Sequence, residues 1–315
     1  MIRIEVDNSH NPDIPPLDAD FNFYGGIYRD LWLITTDELH FEVANEAAGN
    51  FLIRTPEVSA ESARVEIETR VVNHSTGSAT TEVEVDILNP EGNTLKTLRK
   101  KVRLKSGETK KVSFTHVIKH PKLWAPSTPE LYQVVASVSE KGKEKDLIYS
   151  KFGLRWFEAD PEKGFFLNGK PLKLIGANRH QDFEDLVNTL PNKLHRRDYE
   201  MIKEMGANFV RTAHYPQDPE VYRTCDELGL LVWSEIPVIN DVTDSEAYHE
   251  VALKMQREQI NQFFNHPSVI ILGYMTEICI RLCFNNKMTE PEKAEKIRTS
   301  VELAERLEKE TKQLD

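Results

Sequence analysis

Cysteine is scarce in this sequence, and its few cysteines indicate neither a disulfide scaffold nor a metal site. The 315 residues include three cysteines, two of which, Cys279 and Cys283, lie four positions apart. A zinc site with that spacing would need further cysteine or histidine ligands nearby, and none follows. We therefore expect Cys225, Cys279 and Cys283 to be packed thiols. The compartment, periplasmic or cytoplasmic, is left open.

Long apolar runs and a surplus of basic residues are also missing. No run approaches the roughly 18–20 apolar residues of a membrane-spanning helix. The N-terminus begins with a strand-like alternation, Met1-Ile-Arg-Ile-Glu-Val6, in place of a secretory signal. The 40 Lys and Arg residues against 51 Asp and Glu residues give a formal net charge of −11. Because this charge offers no cationic surplus for phosphates, we expect neither a nucleic acid nor a membrane as a partner.

Residues 46–156 show a two-residue alternation of apolar and polar side chains. Val65, Ile67 and Val71 alternate with charged residues, and turn-forming segments separate several such stretches. This pattern predicts a β-sandwich of immunoglobulin type without its disulfide. Within it, Leu123-Trp-Ala-Pro126 is predicted to form a packed corner.

Residues 1–45 contain strand-like segments at residues 2–6, 27–34 and 39–43. Three strands bury too little apolar surface to form an independent β-domain. We therefore expect either that these strands complete a neighbouring domain or that the start of a domain is missing.

After residue 157, short apolar segments alternate with helical ones. Four β/α units in strict alternation predict a parallel sheet. The fourth strand, a continuous apolar run, is expected to be buried on both faces. The last helix has Thr289 and Glu292 at capping-box spacing, and an apolar face with Ile297, Val301 and Ala304. The predicted strands are residues 173–176, 209–211, 230–233 and 269–274, and the predicted helices are residues 194–205, 218–228, 245–264 and 291–314.

Each predicted strand leads into polar or ionisable residues. The carboxyl ends of parallel strands meet at one face of a barrel or a doubly wound sheet, and this face carries active sites. We therefore predict a functional site there. No Gly-x-Gly-x-x-Gly follows any strand, so a nucleotide site has no support. The candidate residues are His180, Arg211, His214, Glu235, Thr276 and Glu277.

The chemistry of these side chains favours a carbohydrate ligand. Carboxylate, imidazole and guanidinium groups can bind sugar hydroxyls, and the nearby Tyr215, Trp233 and Tyr274 offer aromatic surface. Two alternatives stay open. Each histidine taken alone could be structural and Arg211 could brace Glu235, or the histidines and glutamates could bind a divalent ion.

Several motifs resemble glycoside hydrolase family 2, the β-galactosidase and β-glucuronidase group. Gly176-Ala-Asn-Arg-His180 and Arg211-Thr-Ala-His-Tyr-Pro216 resemble the opening of the catalytic barrel of that family. Leu123-Trp-Ala-Pro126 and Phe152-Gly-Leu-Arg155 resemble its immunoglobulin-like second domain. Tyr24-Gly-Gly-Ile-Tyr-Arg-Asp30 resembles the end of its sugar-binding jelly roll.

The resemblance implies a multidomain β plus α/β protein. Residues 1–45 would be the C-terminal part of the jelly-roll domain, residues 46–156 the immunoglobulin-like β-sandwich, and residues 157–315 the first four β/α units, or first half, of a (β/α)8 TIM barrel. The chain would then be an internal fragment that lacks the start of the jelly roll and the second half of the barrel, together with the nucleophilic glutamate.

The resemblance also implies roles for the candidate residues. Glu277 would be the general acid/base, and Thr276 stands where the family has an asparagine that contacts the 2-hydroxyl of the sugar. The magnesium positions of the family correspond to Ile239 and Asp241, so no metal or other cofactor is expected. The substrate-binding residues would be His180, Arg211, His214, Glu235 and Thr276.

The function implied is that of a retaining exo-β-glycosidase that removes terminal β-linked sugars. We expect a β-galactosidase acting on a β-galactoside or oligosaccharide, with β-glucuronidase and β-mannosidase as alternatives. An inactive carbohydrate-binding or interaction fragment is the alternative from another class. No second glutamate matches the family nucleophile, so we expect no turnover by the 315 residues alone. A homo-oligomer is left open.

Overall fold

The computed structural model describes residues 1–43, 50–278, 280 and 288–314. Cys225 is completely buried, as expected of a packed thiol. The predictions for Cys279 and Cys283 fall outside the described residues. Within the described part of the chain, no helix combines the length and the apolar character needed to cross a membrane.

A β-sandwich forms from two antiparallel sheets, as the alternation predicted. Val65, Ile67 and Val71 point into its core and are at most 1% exposed. Its strands are β1 (Leu39–Phe41), β2 (Leu52–Val58), β3 (Ser62–Asn73), β4 (Ala79–Leu88), β5 (Thr94–Leu104), β6 (Thr109–Lys119), β7 (Tyr132–Glu140) and β8 (Lys143–Phe152).

The strand order places two consecutive strands at one side of the sandwich. One sheet has the order β5-β4-β7-β8. In the other sheet, β6 pairs along nearly the whole of β3, so β1 and β2 share the opposite side of β3. Strands β5 and β6 are therefore both edge strands, one in each sheet.

The segment before β1 differs from its prediction. Residues 2–6 and 27–34 form no strands, and side chains such as Ile2 and Trp32 are 76% and 80% exposed. The prediction was wrong because a strand needs a partner for its backbone hydrogen bonds, and no described strand runs beside these residues. The predicted strand at residues 39–43 exists as β1, which pairs with β3.

The remaining chain forms a small antiparallel sheet and then four parallel β/α units. The small sheet contains β9 (Phe157–Asp160), β10 (Gly164–Leu167) and β11 (Lys170–Pro171). The parallel strands have the order β12-β13-β14-β15, which confirms the predicted alternation. The units consist of β12 (Gly176–Arg179), α1 (Asn192–Glu204), β13 (Phe209–Thr212), α2 (Pro219–Leu228), β14 (Leu231–Glu235), α3 (Glu246–Phe263), β15 (Val269–Gly273) and α4 (Glu290–Leu314).

Two strand predictions need correction. The first strand was predicted at residues 173–176, but β12 begins only at Gly176. The N–H of the preceding residue, Ile175, donates to the Asn208 side chain and not to a neighbouring strand. Strand β15 is not buried on both faces: only Val269 is buried, and Ile271 is 37% exposed. Among the described strands, β15 pairs only with β14, so its outer side stays open.

Helix α4 begins at its predicted capping box but buries a different face. The Thr289 N–H and hydroxyl both donate to the Glu292 carboxylate, at 2.7 and 2.8 Å. Leu303 and Leu307 are fully buried in a cluster with side chains of α3, whereas the predicted Ile297 and Val301 are each 50% exposed. Packing against α3 decides which face of α4 is buried. The periodicity of α4 alone does not carry that information.

Direct contacts join the sandwich to the parallel sheet. Trp124 is fully buried, and its indole N–H donates to the Asp226 carbonyl at 2.9 Å, which confirms the packed corner. The Arg155 guanidinium donates to the carbonyls of Pro267 and Val269 at 2.5 and 2.7 Å. Val269 is the first residue of β15, and Pro267 lies two residues before it. These hydrogen bonds therefore fix the start of β15 relative to the sandwich.

Candidate active site

Glu277 lies just beyond the carboxyl end of β15, with its side chain 36% exposed. Its φ angle is 59°, in the left-handed region that residues with a side chain seldom adopt. Such a conformation costs of the order of 1–3 kcal/mol and is concentrated at functional sites. The backbone at this strand end therefore presents a carboxylate to solvent in a strained conformation.

Glu235, at the end of β14, is completely buried and paired with Arg211 of β13. The Arg211 Nη2 lies 2.8 Å from one Glu235 oxygen, and its Nε lies 3.3 Å from the other. The guanidinium also lies over the Trp233 ring, 4.7 Å from the centroid. A buried carboxylate needs a partner that compensates for its lost hydration, and Arg211 supplies it.

His214 lies between the two carboxylates. Its Nδ1 is 2.8 Å from Glu235 Oε1, and its Nε2 is 3.9 Å from Glu277 Oε1. When the imidazole is neutral and Nδ1–H donates to Glu235, Nε2 carries a lone pair on the side of Glu277. The buried Glu235 thus orients the His214 ring, whose Nε2 faces the exposed Glu277.

Thr276 connects β15 to this ion pair. Its hydroxyl accepts a hydrogen bond from Arg211 Nη2 at 2.9 Å, and its N–H donates to the Val238 carbonyl at 3.0 Å. One lone pair of the Thr276 hydroxyl is therefore occupied within the protein, and its O–H can still donate to a ligand.

His180 follows β12 and meets His214 edge to face, with 5.3 Å between ring centroids. Burial, and then the charge of His214, lower the pKa of His180. The neutral imidazole that results offers one donor and one acceptor, which suits a sugar hydroxyl.

The N-terminal segment, residues 1–34, contributes an aromatic side chain to the site. The Phe21 ring centroid lies 5.7 Å from that of His180, 6.2 Å from that of His214 and 5.1 Å from that of Tyr215. The Tyr24 hydroxyl lies 3.2 Å from both carboxylate oxygens of Asp182, in the loop after β12. Phe21 therefore packs directly on the two candidate histidines.

Sequence reasoning missed Phe21, Tyr24 and Asp182. For Phe21 and Tyr24 the signal was the aromatic, glycine-bearing run at residues 21–33, which could not show where the segment lies; Asp182 belongs to the polar residues that follow the first predicted strand. Of the expected aromatic surface, Trp233 contacts the ion pair, and the Tyr215 hydroxyl accepts from the Gln181 N–H at 3.1 Å. Tyr274 instead packs against the cluster formed with α3 and α4.

A buried polar network supports the end of β12. Arg179 donates to Asp198 at 2.6 Å and to Gln217 at 2.9 Å, and its Nη2 lies 3.2 Å from His195 Nδ1. Burial, and then the charge of Arg179, lower the pKa of His195 from 6.5 to about 4. These contacts join β12 to α1 and to the segment after β13.

The positions that match the magnesium site of the family hold other contacts. Ile239 is completely buried, and the Asp241 carboxylate is paired with Lys296. Within residues 1–43, 50–278, 280 and 288–314, no group of three or more His, Cys, Asp or Glu side chains is placed to bind a metal.

The structure brings all six candidate residues together at one end of the parallel sheet. Arg211, His214 and Thr276 connect the buried Glu235 to the exposed Glu277, and His180 joins them through His214. An accessible carboxylate beside an oriented imidazole can transfer protons, whereas Glu235 is committed to its partners. The individual roles of these residues stay predictions.

Comparison with known proteins shows where this chain belongs. Residues 51–155 match the model "Glycosyl hydrolases family 2", and residues 160–294 match "Glycosyl hydrolases family 2, TIM barrel domain". A β-glucuronidase of Bacteroides fragilis is 35% identical over 288 residues, 88% of this chain and 41% of that protein. A β-galactosidase of Thermoanaerobacterium thermosulfurigenes is 33% identical over 285 residues, 87% of this chain and 37% of that protein.

The structural comparison agrees. The crystal structure of a Bacteroides uniformis β-glucuronidase matches 98% of this chain at 42% identity with a TM-score of 0.95, and the match covers 37% of that protein. The chain thus spans well under half the length of these relatives. Because both its sandwich and its parallel β/α units match models of the same family, the chain belongs to glycosyl hydrolase family 2.

Proposed function

We propose that these residues form part of a retaining exo-β-glycosidase, with Glu277 as its general acid/base. The observation that carries this proposal is the placement of Glu277, exposed at the end of β15 with His214 Nε2 3.9 Å away. In the complete enzyme Glu277 protonates the leaving-group oxygen and later removes a proton from the attacking water.

The nucleophile has to come from another carboxylate. A retaining glycosidase needs two carboxyl groups about 5–5.5 Å apart. Glu235 does not suit this role, because it is fully buried and bonded to Arg211 and His214. We therefore expect the 315-residue chain to bind a sugar without hydrolysing a glycosidic bond.

We infer that the substrate is a terminal β-D-glucuronide. Support comes from the relatives, since β-glucuronidases resemble this chain at 42% and 35% identity. The sequence alone favoured a β-galactoside, and the β-galactosidase relative at 33% identity keeps that substrate as the second candidate.

A chimera tests the proposal directly. These 315 residues would replace the matching part of the Bacteroides uniformis enzyme, which is justified by the TM-score of 0.95. We expect hydrolysis of 4-nitrophenyl β-D-glucuronide to exceed that of the β-D-galactoside. Glu277→Gln should lower kcat by about 10²–10⁴-fold, and Glu290→Gln, an exposed change on α4, should leave it unchanged.

The leaving group separates an acid/base role from a structural one. A 2,4-dinitrophenyl glucuronide needs little protonation of its leaving group, so Glu277→Gln should slow its glycosyl-transfer step much less than that of a poorer leaving group. Equal losses for both substrates would contradict the proposed role.

The non-catalytic alternative depends on Thr276. If this threonine marks a lost activity, the chimera will be inactive and Thr276→Asn will restore hydrolysis. Hydrolysis by the unmodified chimera that requires Glu277 excludes the binding-only function.

A further inference from the structure

One edge of the sandwich has a local surplus of positive charge. Residues 94–119, which comprise β5, β6 and their turn, contain nine Lys and Arg residues and one Glu, a net charge of +8. The whole chain has a net charge of −11. We call residues 94–119 the basic edge. The overall acidity of the chain conceals this local surplus.

Part of this charge is available to a partner. Arg99 pairs with Glu84 and Lys111 with Glu68. The side chains of Lys101, Arg103 and Lys110 are exposed and make no ion pair with any carboxylate that the structure describes. They line a groove of about 250 Å³ between the edge strands of the two sheets.

A neighbouring histidine responds to this field. His116 of β6 has a lowered pKa, caused first by its partial burial and then by the Lys96 ammonium group. Positive charge on β5 therefore adds to the effect of burial at a side chain of β6.

The basic edge lies on the far side of the sandwich from the barrel. The barrel contacts the opposite side, where the Ile53 N–H of β2 donates to Asn265 at 2.9 Å and Lys151 of β8 pairs with Glu227 at 3.1 Å. Strand β5 is three places from β8, which at about 4.8 Å per strand is roughly 14 Å. A ligand that reaches from the groove to the barrel side of the sandwich has to span at least this width, which requires an extended chain and not a single sugar.

We propose that the basic edge binds a carboxylate-bearing polysaccharide, a polyuronate. The sugar class rests on the proposed function, and the charge of the groove requires an anion. Single-stranded nucleic acid would need exposed aromatic side chains for base stacking, whereas Phe114, the only Phe, Tyr or Trp of the basic edge, is 4% exposed. A flat anionic membrane does not fit charges that line a groove.

The test measures binding of labelled polygalacturonate to the full 315-residue chain by fluorescence anisotropy, with neutral dextran of matched length as the comparison. The variant carries Lys101→Gln, Arg103→Gln and Lys110→Gln. We expect its Kd to rise at least tenfold, and the slope of log Kd against log salt to fall by about two to three, because three counterion-releasing contacts are lost. Dextran should not bind to either protein.

A matched control removes the same charge elsewhere. Lys163, Lys170 and Lys193 are exposed, and their replacement by Gln should change Kd less than twofold. Equal losses in both variants, or binding of dextran, would overturn the proposal. So would tighter binding of oligonucleotides or anionic vesicles than of polygalacturonate, because the partner would then belong to another class.

Two measurements keep the proposal separate from the catalytic one. Glu277→Gln should leave polygalacturonate binding unchanged, and the basic-edge variant of the chimera should hydrolyse small aryl glycosides at the normal rate. If the triple variant fails to fold, Lys101→Gln with Arg103→Gln replaces it, since both side chains line the groove and neither donates a hydrogen bond to a residue that the structure describes. A rise in Kd is again the expected result, and an unchanged Kd would overturn the proposal.

Discussion

At the scale of single residues, two glutamates at adjacent strand ends have opposite environments. Glu235 is fully buried and held by Arg211 and His214, while Glu277 is 36% exposed and lies 3.9 Å from His214 Nε2. Removing one member of a buried ion pair leaves an uncompensated charge, which costs several kcal/mol. This difference supports the proposal that Glu235 positions its neighbours and that Glu277 transfers the proton.

His195 should make the stability of the fold depend on pH. Its pKa falls from 6.5 to about 4 on folding, so the unfolded chain binds a proton more readily. The contribution of neutral His195 is complete above pH 6.5 and is lost progressively as the pH falls towards 4. Between pH 7 and pH 5 this loss amounts to about 2 kcal/mol.

Urea unfolding at pH 7 and pH 5 measures this effect. His195→Gln, whose amide oxygen can still accept from Arg179, should reduce the pH-dependent loss by about 2 kcal/mol. The exposed His10→Gln should retain the full loss. An unchanged pH dependence in His195→Gln would show that folding does not lower the pKa of His195.

At the scale of elements, β15 depends on a glycine where it meets β14. A Cβ on Gly273 would lie 2.7 Å from the Trp233 indole nitrogen and 2.9 Å from the Glu235 Cβ. Both neighbours are held by the contacts of Arg211, so neither can move without disturbing the ion pair.

We expect Gly273→Ala to lower the free energy of unfolding by about 1–3 kcal/mol, the usual cost of overpacking. Gly77→Ala in the sandwich is the control, because a Cβ there meets no atom within 4 Å. Chemical denaturation of both variants gives the comparison, and equal stabilities would show that β14 and β15 separate easily.

At the scale of the whole molecule, Trp124 connects the sandwich to the barrel units. Trp124→Phe removes the indole hydrogen bond to Asp226 and leaves a small cavity at a fully buried site. We expect a loss of about 2 kcal/mol in the free energy of unfolding. Trp32→Phe, at a position that is 80% exposed, should cost almost nothing.

Urea unfolding of both variants tests this prediction. Circular dichroism is used to follow it, because each variant lacks one tryptophan and its tryptophan fluorescence would differ for that reason alone. A loss confined to Trp124→Phe supports coupling between the two parts. Equal midpoints for the two variants would contradict it.

Local periodicity and chain order are contained in the sequence. For this reason the alternation of Val65 and Ile67 predicted the sandwich, and four β/α units predicted a parallel sheet with its candidate residues at one end. The motifs predicted the family that the comparisons then showed. These features depend on neighbouring residues and not on which distant segments come into contact.

Only the tertiary structure decided which distant surfaces pack together. Phe21 meets His180 across more than 150 residues of chain, and α4 turns Leu303 towards α3. Lys101 and Lys110 come to line one groove because β5 and β6 are neighbouring edge strands of the two sheets. The structure likewise showed that Glu235 is enclosed and Glu277 exposed, a difference in burial that residue type alone does not give. The physical reason is that packing and desolvation depend on long-range contacts, whereas helices, strands and turns are encoded mainly by neighbouring residues.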